Sequence, residues 1–168
     1  KSNARNTMIA AGVPVIPGSK EPLYHAEEAL AIADEVGYPV IVKAALGGGG
    51  KGMRVAYHQN ELENAFMTAQ KESMAAFGDN TMYLEHFVEH PKHIEFQILA
   101  DSYGHVIHLG ERDCSIQRNH QKLIEESPCA IMSDALRQKM GEAAVNAAKA
   151  AGYVNAGTIE FLLEKTGR

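Results

Sequence analysis

The sequence lacks the features that would move it out of the ordinary globular class. No apolar run approaches the roughly 20 residues that a membrane-spanning helix needs, and neither a signal peptide nor an Arg-rich transit segment is legible. Cysteine is scarce. Cys114 and Cys129 are the two in 168 residues, their spacing matches no metal-binding pattern, and two free thiols in a reducing compartment are expected. Positive charge is not in excess: 16 Lys and Arg against 21 Asp and Glu leave a net charge of −5, which argues against a general nucleic-acid binder. There is no internal repeat, and low complexity is confined to one run of glycines. What remains is 45% hydrophobic and 22% charged, with enough length to bury a core as one domain or two small lobes. The chain starts at Lys1 and stops at Arg168, just after what reads as a strand and a turn. Both ends read as cuts through a longer protein, and the cytoplasm, or the mitochondrial matrix for a eukaryotic parent, is the expected compartment.

The glycines are the feature around which the rest is organised. Gly37-Tyr38-Pro39 stops a helix and opens the branched strand Val40-Ile41-Val42, ended by Lys43. Gly47, Gly48, Gly49 and Gly50 follow, then Lys51 and Gly52, and a second short strand from Met53 to Tyr57. Such a run carries an entropic cost and offers unobstructed backbone N–H groups, which suit a polyphosphate. No Gly-Lys-Ser/Thr leads into a helix, so this is not a Walker A loop. Two readings stand: a flap over a nucleotide, or a flexible hairpin tip with exposed lysines.

Elsewhere, helices are expected over Ser2 to Ala11, Ala26 to Val36, a segment capped by Asn60 and Glu63 and running to about Phe77, and from Ser133 to Gly152. Strands are expected over Thr81 to Val88, His93 to Ala100, His105 to Arg112 and Thr158 to Leu163, with Asp101-Ser102-Tyr103-Gly104 as a hairpin turn. The polar segment from Asp113 to Glu126 reads as a loop with a short turn. The fold class is α+β, with a lead-in helix over 1–12, a small lobe over 13–88 and the beginning of a larger lobe over 89–168.

Candidate site residues follow from this frame. His93, Glu95 and Gln97 share one face of their strand, opposite Ile94, Phe96 and Ile98; that face is either solvated or functional. Gln117, His120 and Lys122 lie in a run rich in hydrogen-bonding groups, where a His and a Lys could hold phosphate oxygens or a small oxyanion. Glu160 stands among apolar neighbours in Thr158-Ile159-Glu160-Phe161-Leu162. It is either a Mg²⁺ ligand or a carboxylate that pairs with a base or faces solvent on an edge strand.

Together these segments resemble the biotin carboxylase family of the ATP-grasp superfamily, the ATP-using parts of acetyl-CoA, propionyl-CoA and pyruvate carboxylases. The resemblance is carried by Ala11-Gly12-Val13-Pro14 with Pro17-Gly18, Gly37 to Ala44 with Gly47 to Arg54, Pro91 to Gln97, Glu111 to Arg118 with His120-Gln121-Lys122, and Ala156 to Phe161. It runs in order along nearly the whole chain.

The resemblance implies an ATP-grasp fold and a role for each position. Lys43 and Lys1 would meet the phosphates, and Gly47, Gly48, Gly49, Gly50 and Gly52 would form the flap. Glu85, His86 and Val88 would form a hinge meeting the adenine edge. His93 and Gln117 would contact ribose, His120 phosphate and Lys122 bicarbonate, while Glu160 would be the first carboxylate on Mg²⁺ or Mn²⁺. ATP and bicarbonate are the implied small-molecule partners and biotin the carried substrate. In the parent the implied partners are a biotin carboxyl carrier protein or domain and a carboxyltransferase, in a homodimer or larger assembly, with neither nucleic acid nor membrane involved. A second metal carboxylate, an asparagine, the anion-binding arginines and the general base would follow Glu160 beyond Arg168, so this chain is expected to bind nucleotide without turnover. Two alternatives remain at this point: another ATP-grasp ligase such as a carbamoyl-phosphate synthetase, or a non-catalytic folding or interaction fragment. The strand from His93 to Gln97 followed by Gln117, His120 and Lys122 suits a biotin carboxylase better than the first.

Overall fold

The computed structural model describes residues 2–46, 51–118 and 121–164. Lys1, Gly47, Gly48, Gly49, Gly50 and His120, all named above as candidate site residues, lie outside the described residues. The chain divides into two compact units. One is Val15–Phe87 with Lys1–Arg5, the other Val88–Arg168 with Asn6–Pro14.

The first unit is a three-stranded antiparallel sheet with helices packed on it. Its strands are β1 (Val40–Ala44), β2 (Met53–Ala56) and β3 (Met82–His86), in the order β2-β1-β3. Alternation along β1 sends Val40, Val42 and Ala44 into the core and leaves Ile41 and Lys43 on the other face. The helices are α2 (Ala26–Val36) and α3 (Gln59–Phe77), and α1 (Ser2–Ala10) precedes them. Ala29 and Ala33 of α2 and Leu62, Phe66 and Ala69 of α3 complete the core.

The Asn60–Glu63 capping box expected for α3 does not form. The helix starts at Gln59 with His58 as its N-cap, so Asn60 is already inside the first turn. The acceptor that satisfies the entering backbone is Glu61, whose carboxylate takes the Tyr57 N–H at 2.8 Å. At α2, Glu28 does the same for Tyr24 and His25, at 2.9 and 3.1 Å.

The second unit is a four-stranded antiparallel sheet, order β6-β5-β4-β7, made of β4 (Lys92–Ala100), β5 (Val106–Arg118), β6 (Gln121–Glu126) and β7 (Asn155–Leu163). Helix α4 (Asp134–Ala150) begins as expected at Ser133, whose hydroxyl accepts the Leu136 N–H at 3.3 Å. Ile94, Phe96 and Ile98 of β4 form a core with Met140, Ala144 and Ala148 of α4.

The expected loop from Asp113 to Glu126 is a correction: it is the continuation of β5 and the whole of β6, paired as a hairpin. Two physical reasons hid it. Register shifts on either side of Ile116 break the period of two, and every residue of β6 is exposed, so no apolar alternation marks it.

The α4 side of β5 carries charge that is paired internally. Asp113 is buried and accepts from Lys92 Nζ at 2.9 Å and from the Ser115 N–H at 3.0 Å. Burial raises its carboxyl pKa, but the Ser115 and Lys92 hydrogen bonds outweigh burial and hold it below the usual range. A carboxylate with a depressed folded-state pKa stabilises the fold above its unfolded value and loses that contribution as pH falls through the folded one. Urea unfolding from about pH 5 to about pH 2 is therefore expected to show a steeper loss of stability in the wild type than in Asp113→Asn. Parallel curves would show that Asp113 contributes no acid sensitivity.

Candidate functional site

In the first unit the structure brings Lys43 and Glu85 together. They sit diagonally on neighbouring strands, since Ile41 is opposite Glu85 and Lys43 opposite Tyr83, and they form an ion pair with both side chains about three-quarters shielded. The β3 backbone around Glu85 is fixed from outside the sheet. The Ser19 N–H donates to the Leu84 carbonyl at 2.7 Å, the Leu84 N–H to Ser19 Oγ at 3.1 Å, and the His86 N–H to the Pro17 carbonyl at 2.8 Å. The His86 ring nitrogen Nδ1 lies 3.2 Å from the Gly37 carbonyl, and the Phe87 N–H donates to the Pro39 carbonyl at 2.8 Å. The segment named as a hinge is thus tied at each residue from Leu84 to Phe87. Val88, the last of the hinge candidates, follows it half-buried in the second unit.

The base of the glycine loop is ordered by its own geometry. Gly52 has φ +69°, and a Cβ there would lie 2.8 Å from the Ala44 Cβ. Its carbonyl accepts the Ala44 N–H at 2.8 Å, closing the β1–β2 hairpin. Its N–H points at Glu72 Oε2, 3.4 Å away, and Glu72 also forms an ion pair with Arg54. A glycine at 52 is therefore required by the hairpin itself, with or without a phosphate above it.

In the second unit, the β4 face opposite α4 is not merely solvated. Register places Glu160 of β7, Glu95 of β4 and Arg112 of β5 in one row across the sheet. Glu95 is buried, with 6% of its side chain exposed, and shares an ion pair with each of two cations. Arg112 donates through Nε to Glu95 Oε1 at 2.6 Å and through Nη2 to Gln97 Oε1 at 3.1 Å, with Nη2 also 2.5 Å from Glu95 Oε1 as part of the ion pair. Lys122 reaches from β6 to Glu95 Oε2 and also donates to Glu160 Oε1 at 2.6 Å. Burial raises the Glu95 pKa, yet the hydrogen bonds from Lys122 and Arg112 outweigh it and keep the carboxylate ionised. Glu160, and after it Glu95, raises the pKa of Lys122, which is held firmly as an ammonium.

Glu160 is 65% exposed on the edge strand β7 and paired with Lys122, so a base-paired carboxylate on an edge strand is what the structure presents. Its exposure also leaves it open to a cation: Mg²⁺ takes one or two carboxylates and completes its shell with phosphate oxygens and water. Another group of metal-type donors, Glu95, Cys114 and Glu125, has atoms within 4.8 Å of one another. It does not suit a metal, because Arg112 and Lys122 occupy Glu95 and burial, with the Glu95 charge, pushes the Cys114 thiol up to about 11.

Of the other candidates, Gln117 donates its amide to the Cys114 carbonyl at 2.9 Å, and the His93 backbone N–H donates to Ser115 Oγ at 3.0 Å. Gln117 and Lys122 are directly opposite in the β5–β6 pair. Arg112 was missed as a site residue. The signal available for it was the alternation that put Glu95 on the polar face of β4, which called for a cation across the strand pair.

Two α+β units of this make, one carrying a lysine on the first strand of a β-hairpin and the other a charged sheet face, define an ATP-grasp core: a small lobe and the first part of the larger one. The chain belongs to the family described as carbamoyl-phosphate synthase L chain, ATP binding domain, whose model matches residues 1–168. It is 55% identical to a biotin carboxylase of Nostoc sp. over 100% of this chain and 38% of that protein. The solved Campylobacter jejuni biotin carboxylase–β,γ-ATP complex superposes with a TM-score of 0.90 at 55% identity, over 99% of this chain and 37% of that one. The biotin carboxylase domain of Hydrogenobacter thermophilus 2-oxoglutarate carboxylase, solved as a dimer with MgADP, ADP and bicarbonate, gives 0.88 at 48% identity, over 100% and 37%. The chain thus spans little more than a third of the length of these relatives. Among the described residues no helix is long and apolar enough to cross a membrane.

Proposed function

We propose that this chain is the nucleotide-binding part of a biotin carboxylase, which uses ATP and bicarbonate to carboxylate biotin on a carrier protein. The observation that carries the reading is 55% identity along the whole chain to a biotin carboxylase. The charged row on β4, β5 and β7 supports it, because a lysine held as a cation beside an exposed carboxylate suits an anion next to a metal-bound phosphate.

In this reading Lys43, with Lys1, neutralises the phosphates, and Gly47, Gly48, Gly49, Gly50 and Gly52 cover them. Glu85, His86 and Val88 present backbone to the adenine. His93 and Gln117 meet the ribose, His120 a phosphate. Lys122 binds bicarbonate and holds it for attack on the γ-phosphorus. The oxygen of bicarbonate bonds to phosphorus as the bond to ADP breaks, giving carboxyphosphate, whose carboxyl group then passes to the ureido nitrogen of biotin as its C–O bond to phosphate breaks and the N–H proton goes to the phosphate released. Glu160 is one carboxylate ligand for Mg²⁺ or Mn²⁺, which supplies charge neutralisation on the phosphates. Cover over the phosphates excludes water from a labile intermediate. The parent enzyme would work with a biotin carboxyl carrier protein and a carboxyltransferase, as a homodimer or larger assembly in the cytoplasm. The description of the matching family favours one second reading, carbamoyl-phosphate synthesis, which shares the activation of bicarbonate by ATP.

Calorimetric titration of the chain with ATP, with and without Mg²⁺, tests the nucleotide assignment. Lys43→Ala is expected to weaken ATP binding by about tenfold or more, the usual scale for losing a charge-assisted hydrogen bond. Glu160→Ala is expected to reduce the difference that Mg²⁺ makes while leaving metal-free binding unchanged. Equal ATP affinity in wild type and Lys43→Ala would remove the phosphate role from Lys43.

A further inference from the structure

Lysine is a poor instrument for placing a charge. Its stem is flexible, and fixing it costs rotamer entropy. Lys122 starts from β6, an edge strand exposed throughout, yet its ammonium lies over β4 and β7. Something other than its own strand must define its position.

We propose that Glu95 is the positioning residue for Lys122, and that Arg112 locks Glu95 in turn. The two carboxylate oxygens of Glu95 are divided between the two cations. Oε1 is taken by Arg112, through Nε and Nη2, and Oε2 by Lys122. The guanidinium, itself held by Gln97 Oε1 at 3.1 Å and facing Glu125 Oε2 at 3.5 Å, holds Oε1, and with the side chain buried this restricts rotation of the carboxylate. With Oε1 pinned, Oε2 is fixed in space, and the ammonium with it. Burial removes competing water from Glu95, whereas Glu160, the other acceptor of Lys122, is 65% exposed and cannot hold a lysine by itself. An ammonium has three donors. Glu95 and Glu160 occupy two, and among the described residues no further acceptor is seen for the third, which suits an anion.

Stability does not require this arrangement. A buried carboxylate between two cations pays a desolvation cost that a well-packed apolar group avoids. The gain is a lysine whose charge stands in one place before the substrate arrives, which is how a site saves the cost of reorganising during reaction.

This inference rests on the reading of Lys122 as the bicarbonate lysine, and the test separates the two. In the full-length carboxylase that carries this chain, KM for bicarbonate and KM for ATP are measured for Glu95→Gln, Glu95→Asp, Lys122→Met and the double variant Glu95→Gln/Lys122→Met. Glu95→Gln is expected to raise the bicarbonate KM about tenfold while the ATP KM stays within about twofold. Glu95→Asp keeps a carboxylate beside Arg112 but falls one methylene short of Lys122, and is expected to shift the same constant by less. The double variant should be no worse than Lys122→Met alone, because Glu95 acts through the lysine. If Lys122→Met raises the bicarbonate KM but both Glu95 variants leave it unchanged, or if the double loss is the product of the single ones, the positioning role is overturned and the reading of Lys122 survives. An unchanged bicarbonate KM in Lys122→Met overturns that reading, and the positioning role with it. Should Glu95→Gln fail to fold, Glu95→Asp decides: an unchanged bicarbonate KM there overturns the proposal.

Discussion

Glu111→Ala is expected to destabilise the second unit by about 3–5 kcal/mol, the range for removing one partner from a buried ion pair. The Glu111 side chain is 1% exposed, on the α4 side of β5. Arg137 of α4 donates through Nε to both of its oxygens, at 3.0 and 2.9 Å, and the Cys129 N–H donates to Oε1 at 3.1 Å. Alanine leaves the half-buried guanidinium with only the exposed Asp134 as a carboxylate partner and a buried N–H without its acceptor, two separate penalties. For a chain of this size about 2–4 °C of melting temperature goes with each kcal/mol, so a fall of about 10 °C is expected. Urea unfolding measures it directly. The double variant Glu111→Leu/Arg137→Met removes both charges and is expected to recover the part of the loss that comes from the uncompensated charge, while the Cys129 N–H remains without the Glu111 acceptor and keeps its share of the cost. A melting temperature in Glu111→Ala within a degree or two of wild type would show that the pair does not tie α4 to the sheet.

Glu111 and Glu95 explain why the sequence was legible in some places and opaque in others. A run of branched residues located β1 and helical apolar spacing located α2 and α4, and Val40 and Val42, Ala29 and Ala33, and Met140 and Ala144 do face cores. The strand expected over His105 to Arg112 is the first part of β5, but its continuation past Arg112 and all of β6 were not legible. The inward positions here are Glu111 and Asp113, made tolerable by Arg137 and Lys92, which are far away in sequence. A pairing across 26 or 21 residues leaves no local pattern. The site divides in the same way. Lys43 at a strand end and Glu160 among apolar residues stood out as local anomalies, whereas the value of Arg112 appears only once β4, β5 and β7 are aligned. Glu160 drew attention as a carboxylate that would be costly to bury. It is exposed on an edge strand, and its interest lies in its lysine partner rather than in burial.

Gly18→Ala is expected to cost about 3 kcal/mol and to weaken ATP binding, a larger effect than a single added methyl group suggests. Its Cβ would stand 2.3 Å from the Leu84 carbonyl oxygen and 2.8 Å from the Glu85 Cα. Both are backbone atoms of β3, so no side chain can swing aside. Either β3 moves or the segment Pro17–Ser19 lifts away. Lifting it puts at risk the hydrogen bonds from Ser19 to Leu84, from Leu84 to Ser19 and from His86 to Pro17, each worth about 1 kcal/mol net. Moving β3 displaces Glu85, and Glu85 holds the Lys43 ammonium. Either route disturbs the strand that carries the proposed hinge, so ATP affinity should fall by about tenfold in the folded variant. Gly12→Ala is the control. It imposes a side chain at φ +68° with nothing within 4 Å of the new Cβ, so its cost should be the conformational one alone, about 1 kcal/mol, with ATP affinity unchanged. Thermal melts and ATP calorimetry on both variants decide the matter. If Gly18→Ala melts with Gly12→Ala and binds ATP like wild type, the close approach at Gly18 neither stabilises β3 nor positions Glu85. If it melts well below and binds weakly, the short segment before α2 is what sets the geometry of the hinge strand.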